Sequence, residues 1–207
     1  MMRRLWITVL LCLAIAYWLW PYAGAYEIAR AAANHDAGAL AAHVNEPALK
    51  RSLARQIVAA YLAKSGRGDK LGSFGRGLAN AVGTSIAAPY LDQLLSPDAL
   101  AALLAQGQIG DLKIGERTIA IDRQVPSLPA VFQSHIFAVV LHSFFDGIAS
   151  FRFSVPEESG RDSDYGVHVR LDGLTWRLSG IDLPPDVLDR IATDAVAAER
   201  ASTKTGG

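Results

Sequence analysis

The feature that most constrains this 207-residue chain is an apolar run near its start. Residues Leu5–Trp20 carry no charge, and Arg3 and Arg4 directly precede them. A helix of this length spans about 24 Å, slightly less than the roughly 30 Å hydrocarbon core of a bilayer. Aromatic residues that favour the headgroup layer lie at its far end: Tyr17, Trp18, Trp20 and Tyr22. The sequence therefore predicts a membrane anchor or signal segment over residues 1–26, with membrane contact through residues 5–26.

Two kinds of segment fit this run, a retained anchor and a cleaved signal peptide. Ala23-Gly24-Ala25 offers a small-x-small cleavage site after Ala25, whereas the length of the run and its bulky aromatic end favour the anchor. A lipoprotein signal ending at Cys12 is disfavoured because the preceding leucine is too large. The two arginines should stay in the cytoplasm by the positive-inside rule. The sequence thus predicts a single-pass bacterial inner-membrane protein with a periplasmic C-terminal domain, or alternatively a periplasmic or secreted protein after cleavage.

Composition excludes several broad classes of protein. Apolar residues make up 51% of the chain, which is enough to build a core and excludes wholesale disorder. Twenty basic and twenty acidic side chains leave no net charge, which argues against a nucleic-acid partner. One cysteine excludes an intramolecular disulfide framework and a multi-cysteine zinc site.

Charge is nevertheless distributed unevenly along the chain. Residues 1–80 carry a net charge of +6 and residues 81–207 a net charge of −6. Either the two halves attract each other within one fold, or the basic half lies near anionic lipid headgroups. Mixed surfaces are common, so the sequence favours the first alternative.

The first half of the chain predicts helices. Pro21 is expected to open one that ends at Asn34-His35-Asp36, and Asp36 to cap the next. Glu46-Pro47 begins a third helix with a basic face. Six glycines within residues 65–83 predict a loop or linker, and no Gly-Lys-Ser/Thr ending marks it as a phosphate-binding loop. Residues 84–95 predict a helix broken at Pro89, followed by a helix over residues 99–106 that Ser96 caps.

The second half predicts short strands. The first candidate strand residues are Ile114, Thr118, Ile119, Ile121 and Val125. A turn is expected over residues 126–129 and a charged loop over residues 157–164. Residues 136–145 form an apolar run of undecided type. Alternation then predicts strands through Phe151–Val155 and Val167–Leu171. Asp172-Gly173 predicts a hairpin turn into a strand over residues 175–183, with Trp176, Leu178 and Ile181 on one face.

These elements predict one α+β domain over residues 27–200. It would be helical over 27–106 and mostly β over 107–184, with a last helix over 186–200 and a disordered tail over 201–207. Helices would pack on a small antiparallel sheet, as in cystatin-like or nuclear-transport-factor-like cones.

Several blocks of residues together resemble a bacterial family known as domain of unknown function 2939, whose members carry an N-terminal hydrophobic segment. The resemblance covers about residues 20–185. The blocks are Pro21-Tyr22, residues 31–36 with Leu40, Val44 and Leu49, Ser96-Pro97-Asp98-Ala99-Leu100, residues 173–178 and residues 181–184. The chain departs from the family at Asn45-Glu46, where an acidic-aromatic pair is usual, and the glycine-rich stretch resembles an insertion. The family has no assigned activity, so the resemblance implies architecture and no catalytic residue.

The sequence offers only weak candidates for catalysis. His135, His142 and Asp146 could form an acid–base group if their segment is helical, since a spacing of seven puts both histidines on one face. In a strand the same spacing would separate them. Ser179-Gly180 has no nucleophile-elbow pattern around it.

Candidate ligand sites are equally weak, and the sequence predicts no metal and no cofactor. His35 and His43 lie near Asp36 and Glu46 in a spacing that matches no ligand motif, so they are expected to be surface residues of a turn. The carboxylates within residues 157–164 lack the order of a calcium loop. His168 is expected on the solvated side of its strand, and Trp176 in the core.

Three functional hypotheses follow. The first is an uncharacterised envelope protein, anchored in the inner membrane, whose exported non-enzymatic domain binds a partner protein, a lipid or a small ligand. The second is a hydrolase or metal-dependent enzyme with a pocket in the α+β domain. The third is a structural spacer in an envelope assembly.

Overall fold

Helices dominate the first half of the molecule and strands the second. The computed structural model describes residues 2–66, 87–121, 123–125, 127–130, 143–155 and 165–205. The helices are α1 (Met2–Ala33), α2 (Ala37–Ala42), α3 (Glu46–Lys64), α4 (residues 87–94), α5 (Pro97–Gln106) and α6 (Pro185–Thr205). The strands are β1 (Gln108–Ile109), β2 (Leu112–Ile114), β3 (Arg117–Ile119), β4 (Arg123–Gln124), β5 (Phe144–Phe145), β6 (Ser150–Val155), β7 (Tyr165–Asp172) and β8 (Thr175–Ile181). The fold is α+β, as the sequence predicts.

The first helix is a single element, so the prediction that Pro21 opens a new helix is wrong. α1 runs through Pro21 to Ala33, which gives it 32 residues. Side chains on both sides of the proline are held by the same sheet: Tyr17 stacks on Phe145, and Tyr22 meets Phe151 edge-on. Packing of both halves against one surface compensates for the hydrogen bond that proline cannot donate.

The predicted helix starts in the first half are confirmed by their caps. The side chains of Asp36, Asn45 and Ser96 each accept a hydrogen bond from a backbone N–H in the first turn of α2, α3 and α5. Such bonds satisfy donors that have no partner within the helix. The sequence therefore locates these three starts well.

The main sheet is an antiparallel meander with the order β5-β6-β7-β8. Its apolar face carries a row of buried side chains on β6, β7 and β8: Phe151, Phe153, Val167, Val169, Trp176, Leu178 and Ile181. These pack against the second half of α1 and against α3, and α5 and α6 join the same continuous core through their contacts with those two helices. Two small two-stranded sheets, β1-β4 and β2-β3, complete the described strands.

A β-bulge at Ser179 explains why Trp176, Leu178 and Ile181 share one face. Val169 pairs with Leu178, but His168 pairs with Gly180, so Ser179 has no partner across the strands. The extra residue reverses the alternation after Leu178 and returns Ile181 to the core.

Other predictions need correction. Pro89 lies within the helical residues 87–94 and does not break them. Residues 128–130 are helical, and Ser127 accepts a hydrogen bond from the N–H of Ala130 as a cap would. Ile121 and Val125 are buried but lie outside the strands. The last helix continues to Thr205, into the tail expected to be disordered.

Some predictions fall on residues that the structure does not describe. These are most of the glycine-rich stretch, the first residues of the predicted helix over 84–95, most of the apolar run at 136–145 and the charged loop at 157–164. The division into segments 1–26 and 27–200 stays a prediction, and α1 passes through that boundary without interruption.

Candidate functional site

The apolar start of the chain is part of the core as well as a candidate membrane span. Within the described residues, α1 is the helix long and apolar enough to cross a bilayer. Its first twenty residues are almost entirely exposed, whereas Ala25, Ile28 and Ala32 are buried. The N-terminal part of α1 is thus an exposed apolar helix, and its C-terminal part, without a break, belongs to the core.

The contact between α1 and the sheet is close. A Cβ atom added to Gly24 would lie 2.4 Å from the Cβ of Trp176. Only glycine therefore allows the helix backbone to approach this strand. Tyr22, two residues earlier, meets Phe151 and Phe153 edge-on with ring centroids 5.3 and 5.4 Å apart. Tyr22 and Gly24, which precede the possible cleavage point after Ala25, thus pack against the sheet.

The opposite face of the sheet is polar and forms a cleft. Side chains that alternate with the core row project there, among them Arg152, His168 and Arg170. Helix α3 lies along β8 and covers part of this face. Together with the β5–β6 loop it encloses a cavity of about 560 Å³, which we call the α3 cleft.

Polar bonds fix α3 above the end of β8. The side-chain amide of Gln56 donates to the carbonyl of Ile181 at 2.8 Å, and its oxygen accepts from the N–H of Leu183 at 2.9 Å. Nearer the start of β8, the N–H of Asn45 donates to Leu178 at 2.8 Å. These bonds satisfy the edge of β8 and set the width of the cleft.

A charged cluster lies in the cleft around Asp182. Its carboxylate accepts from Arg152 at 2.8 Å and lies 3.0 Å from Nε2 of His168. All three side chains are roughly one-third exposed. A Cβ atom on Gly166 would lie 2.1 Å from the Asp182 carboxylate, so glycine at that position makes room for the cluster.

Three further guanidinium groups line the cleft without a partner. Within the described part of the chain, the side chains of Arg51, Arg55 and Arg170 make no hydrogen bond or ion pair. Asp146, on the β5–β6 loop, also lines the cleft, and its carboxylate is likewise unpaired among the described residues. Since Asp182 is already paired with Arg152, the unpaired charge in the cleft is positive. Such a lining attracts anions.

Of the three catalytic candidates, the structure describes one, and that one lies in this cleft. Asp146 lines it, whereas His135 and His142 lie outside the described residues. Asp146 shares the cavity with His168, which the sequence predicts on the solvated side of its strand. His168 is half-buried instead, because Asp182 and α3 cover it.

The residues considered for metal binding have structural roles. Asp36 caps α2, the ring of His43 bonds the carbonyl of Ala39 at 2.9 Å, and Glu46 pairs with Lys50. His35 adopts a positive φ of 52° in the turn after α1. Across the residues that the structure describes, no group of three His, Cys, Asp or Glu side chains could hold a metal ion.

The sequence analysis missed the pairing of His168 with Asp182. Without the bulge at Ser179, Asp182 would face the other side of the sheet. The spacing of the apolar residues at 176, 178 and 181 is the signal that reveals such a bulge, because strict alternation would require 176, 178 and 180. The strand register therefore decides that Asp182 lies beside His168.

Comparison with known protein families agrees with the resemblance in the first half of the chain. Residues 10–103 match the model of a family described as protein of unknown function (DUF2939). We refer to these residues, which are similar to that family, as the DUF2939 region. It spans most of α1 and continues into α5, so it includes the α3 wall of the cleft but not the main sheet.

No curated protein and no solved structure matches the chain. The wider resemblance to the DUF2939 family, up to about residue 185, and the likeness to cystatin-like or nuclear-transport-factor-like cones stay predictions.

Proposed function

We propose that the protein is a single-pass membrane protein whose exported domain binds anionic ligands. In this proposal α1 is a retained anchor that continues into the domain, and the α3 cleft is the binding site. The observation that carries the proposal is the double role of α1, whose exposed apolar half leads without a break into the core.

Retention of the anchor is supported by what cleavage would remove. A cut after Ala25 would separate Tyr22 and Gly24 from the domain, although both pack on the sheet. It would also place a new charged terminus beside Ile28, which is only 1% exposed. Signal peptides are removed from the mature protein, so residues of a signal peptide are not expected to form its core.

The orientation of the anchor is tested by reporter fusions at Gly207. With Arg3 and Arg4 in the cytoplasm, alkaline phosphatase fused there should be active and a cytoplasm-dependent fluorescent protein dark. Changing both arginines to Glu should weaken or reverse this pattern. The opposite pattern in the unaltered chain would overturn an exported domain.

The ligand class is supported by the three unpaired arginines of the cleft. A phosphate or carboxylate group is the partner that guanidinium recognises best, because paired N–H donors match paired oxygens. Anchoring near the bilayer makes either a soluble anion or a lipid headgroup an available source of that chemistry.

Binding is tested with the full chain in detergent micelles. Pyrophosphate and succinate serve as soluble probes, and micelles doped with phosphatidylglycerol serve as the lipid probe. Arg51→Gln and Arg55→Gln should each weaken binding by about ten- to a hundredfold, as the loss of about 1.5–3 kcal/mol for a charged hydrogen bond implies. Lys50→Gln is the matched control, since Lys50 is adjacent but pairs with Glu46. Equal effects of all three changes would contradict a specific site.

A second candidate function is an enzyme, favoured by the hydrogen bond between His168 and Asp182 inside the same cleft. A carboxylate that orients an imidazole is a recurrent arrangement for general-base catalysis. Among the described residues, no serine or cysteine side chain forms a hydrogen bond with the ring: Ser179 donates to the backbone carbonyl of His168 instead. His168→Gln should abolish turnover in an enzyme but only alter affinity in a binding domain.

A further inference from the structure

The exposed apolar side chains outside α1 are confined to one end of the main sheet. Among the described residues these are Ile148, Leu174 and Phe144, which are 89%, 79% and 50% exposed. Ile148 belongs to the β5–β6 loop, and Leu174 to the β7–β8 turn. Large apolar side chains exposed together on a soluble domain mark a contact surface.

Strand pairing brings these two connections together. Ser150 pairs with Arg170 and Asp172 with Thr175, so both connections end the sheet on the same side. The N–H of Leu171 also donates to the carbonyl of Ala149 at 2.8 Å. We call residues 146–149 and 173–174 the sheet tip.

The sheet tip touches α1 where the apolar run of that helix ends. The hydroxyl of Tyr17 donates to the carbonyl of Ile148, and its ring stacks on Phe145 with centroids 5.3 Å apart. Tyr17 precedes Trp20, the last residue of the apolar run, by three positions, which is about 4.5 Å along a helix axis. Ile148 therefore lies beside the end of the apolar run.

We propose that the sheet tip is a second membrane contact, which inserts the side chains of Ile148 and Leu174 into the interfacial layer of the bilayer. The proposal rests on the retained anchor. Once Tyr17 lies at the boundary between headgroups and hydrocarbon, the loop bonded to it lies at the same depth. Lipid then covers apolar surface that would otherwise face water.

The charges around the sheet tip fit an apolar contact better than an electrostatic one. Arg177 pairs with Asp172 at 3.2 Å, and the remaining charges nearby are one of each sign, Arg170 and Asp146. Because these charges balance, the contact should persist in high salt, unlike the attraction of a basic patch to anionic lipid.

A second contact fixes how the domain stands on the membrane. One helix alone leaves a domain free to tilt, whereas a helix and a sheet tip define a plane. Asp146 and Arg170 line the α3 cleft at its sheet-tip end, so that end would lie next to the headgroups. The other end, at Gln56 and Asp182, would face away from the membrane.

The test measures the depth of single fluorescent labels in the full chain, reconstituted in phosphatidylethanolamine–phosphatidylglycerol vesicles. Ile148→Cys and Leu174→Cys carry an environment-sensitive dye in a Cys12→Ser background. Ala63→Cys is the control, because it is exposed at the C-terminal end of α3, which leads away from the sheet tip. Native Cys12, labelled separately, reports on the anchor itself.

Labels at positions 148 and 174 should emit at shorter wavelength than the label at 63, and nitroxide-bearing lipids should quench them severalfold more, in low and high salt alike. Quenching at 12 but not at 148 and 174 would overturn the second contact and leave the anchor standing. Absence of quenching at 12 would overturn both. Quenching at 148 and 174 that high salt removes would also contradict the apolar contact.

Discussion

Single residues decide how closely α1 and the sheet approach each other. The backbone of Gly24 lies so close to Trp176 that an added Cβ would overlap its side chain, and Trp176 is only 1% exposed. The expected core position of Trp176 is thereby confirmed. Its indole N–H is buried without a hydrogen-bond partner among the described residues, so packing alone holds it.

Gly24→Ala should destabilise the domain, by about 1–3 kcal/mol, because overpacking a well-packed contact costs that much. In a helix that touched nothing, the same change would stabilise by about 0.5–1 kcal/mol. Chemical unfolding of the full chain in mild detergent measures the sign. Gly38→Ala in α2 is the control, since the added Cβ meets no atom closer than 3.5 Å; stabilisation by both changes would mean that α1 is not docked.

Trp176→Ala tests the core from the other side of that contact. Removing a large buried aromatic side chain costs about 3–5 kcal/mol, a large part of the 5–15 kcal/mol that a domain usually has. The protein should be present in much lower amounts or melt far earlier. A stable variant that had lost only ligand binding would make Trp176 a binding residue instead.

Tyr90 gives the domain a pH dependence. Burial and the nearby Asp194 carboxylate, which accepts its hydroxyl at 2.9 Å, raise the pKa of Tyr90 above its ordinary value of 10.0. A raised pKa means that the folded state holds the proton more tightly, so this stabilisation is complete below about pH 10 and decreases as pH rises further. Tyr90→Phe should be less stable than the wild type at pH 8, and this difference should shrink by pH 11 in urea unfolding. An unchanged difference would contradict the raised pKa.

At the scale of the element, alternation predicted the strands and capping residues predicted the helix starts. Strands β6, β7 and β8 and the caps of α2, α3 and α5 follow local rules that a few neighbouring residues determine. Pro21 was misread because a local rule for proline neglects the sheet that holds α1 on both sides of it. The terminal helix likewise extends beyond its predicted end, because no residue there stops it.

The candidate site could be predicted only in part, since it depends on register. The sequence predicts Asp146 as a candidate. The other charged residues of the cleft, His168 and Asp182, lie together only because the extra residue Ser179 sets the strand register. Distant partners such as Arg51 on α3 have no sequence signal that links them to β7.

Deletion of Ser179 tests the bulge as an element. Removing this extra residue gives regular pairing in which Gly180 still pairs with His168, Ile181 still faces the core and Asp182 stays beside His168. We therefore expect the variant to unfold at a denaturant concentration close to that of the wild type. Deletion of Arg177, which has a partner in Arg170, is the control: it would turn Trp176, only 1% exposed, out of the core, so unfolding should need much less denaturant. Equal destabilisation by the two deletions would contradict the bulge.

At the scale of the whole molecule, the two oppositely charged halves of the sequence meet in one fold. Lys64 on α3 pairs with Asp189 on α6, and these helices pack along their lengths. This contact supports the interpretation that the halves attract each other. The glycine-rich stretch between them lies mostly outside the described residues.

A chain that begins at Tyr26 should fold poorly. It lacks Tyr22 and Gly24, and it exposes Phe151 and Trp176 on the face that α1 covers. A chain that begins at Trp20 keeps these contacts while losing most of the apolar run. Thermal unfolding should therefore show the longer fragment to be clearly more stable; similar melting of both would mean that residues 20–25 add nothing to the core.

The most direct measurement of whether α1 is both anchor and core element is the intact mass of the mature protein, isolated separately from membrane and soluble fractions of expressing bacteria. We predict the uncut chain, in the membrane fraction, with the N-terminal apolar run still attached. A mature chain that begins at Tyr26 and appears in the soluble fraction would contradict the retained anchor, the docking of residues 20–25 on the sheet and the membrane contact of the sheet tip.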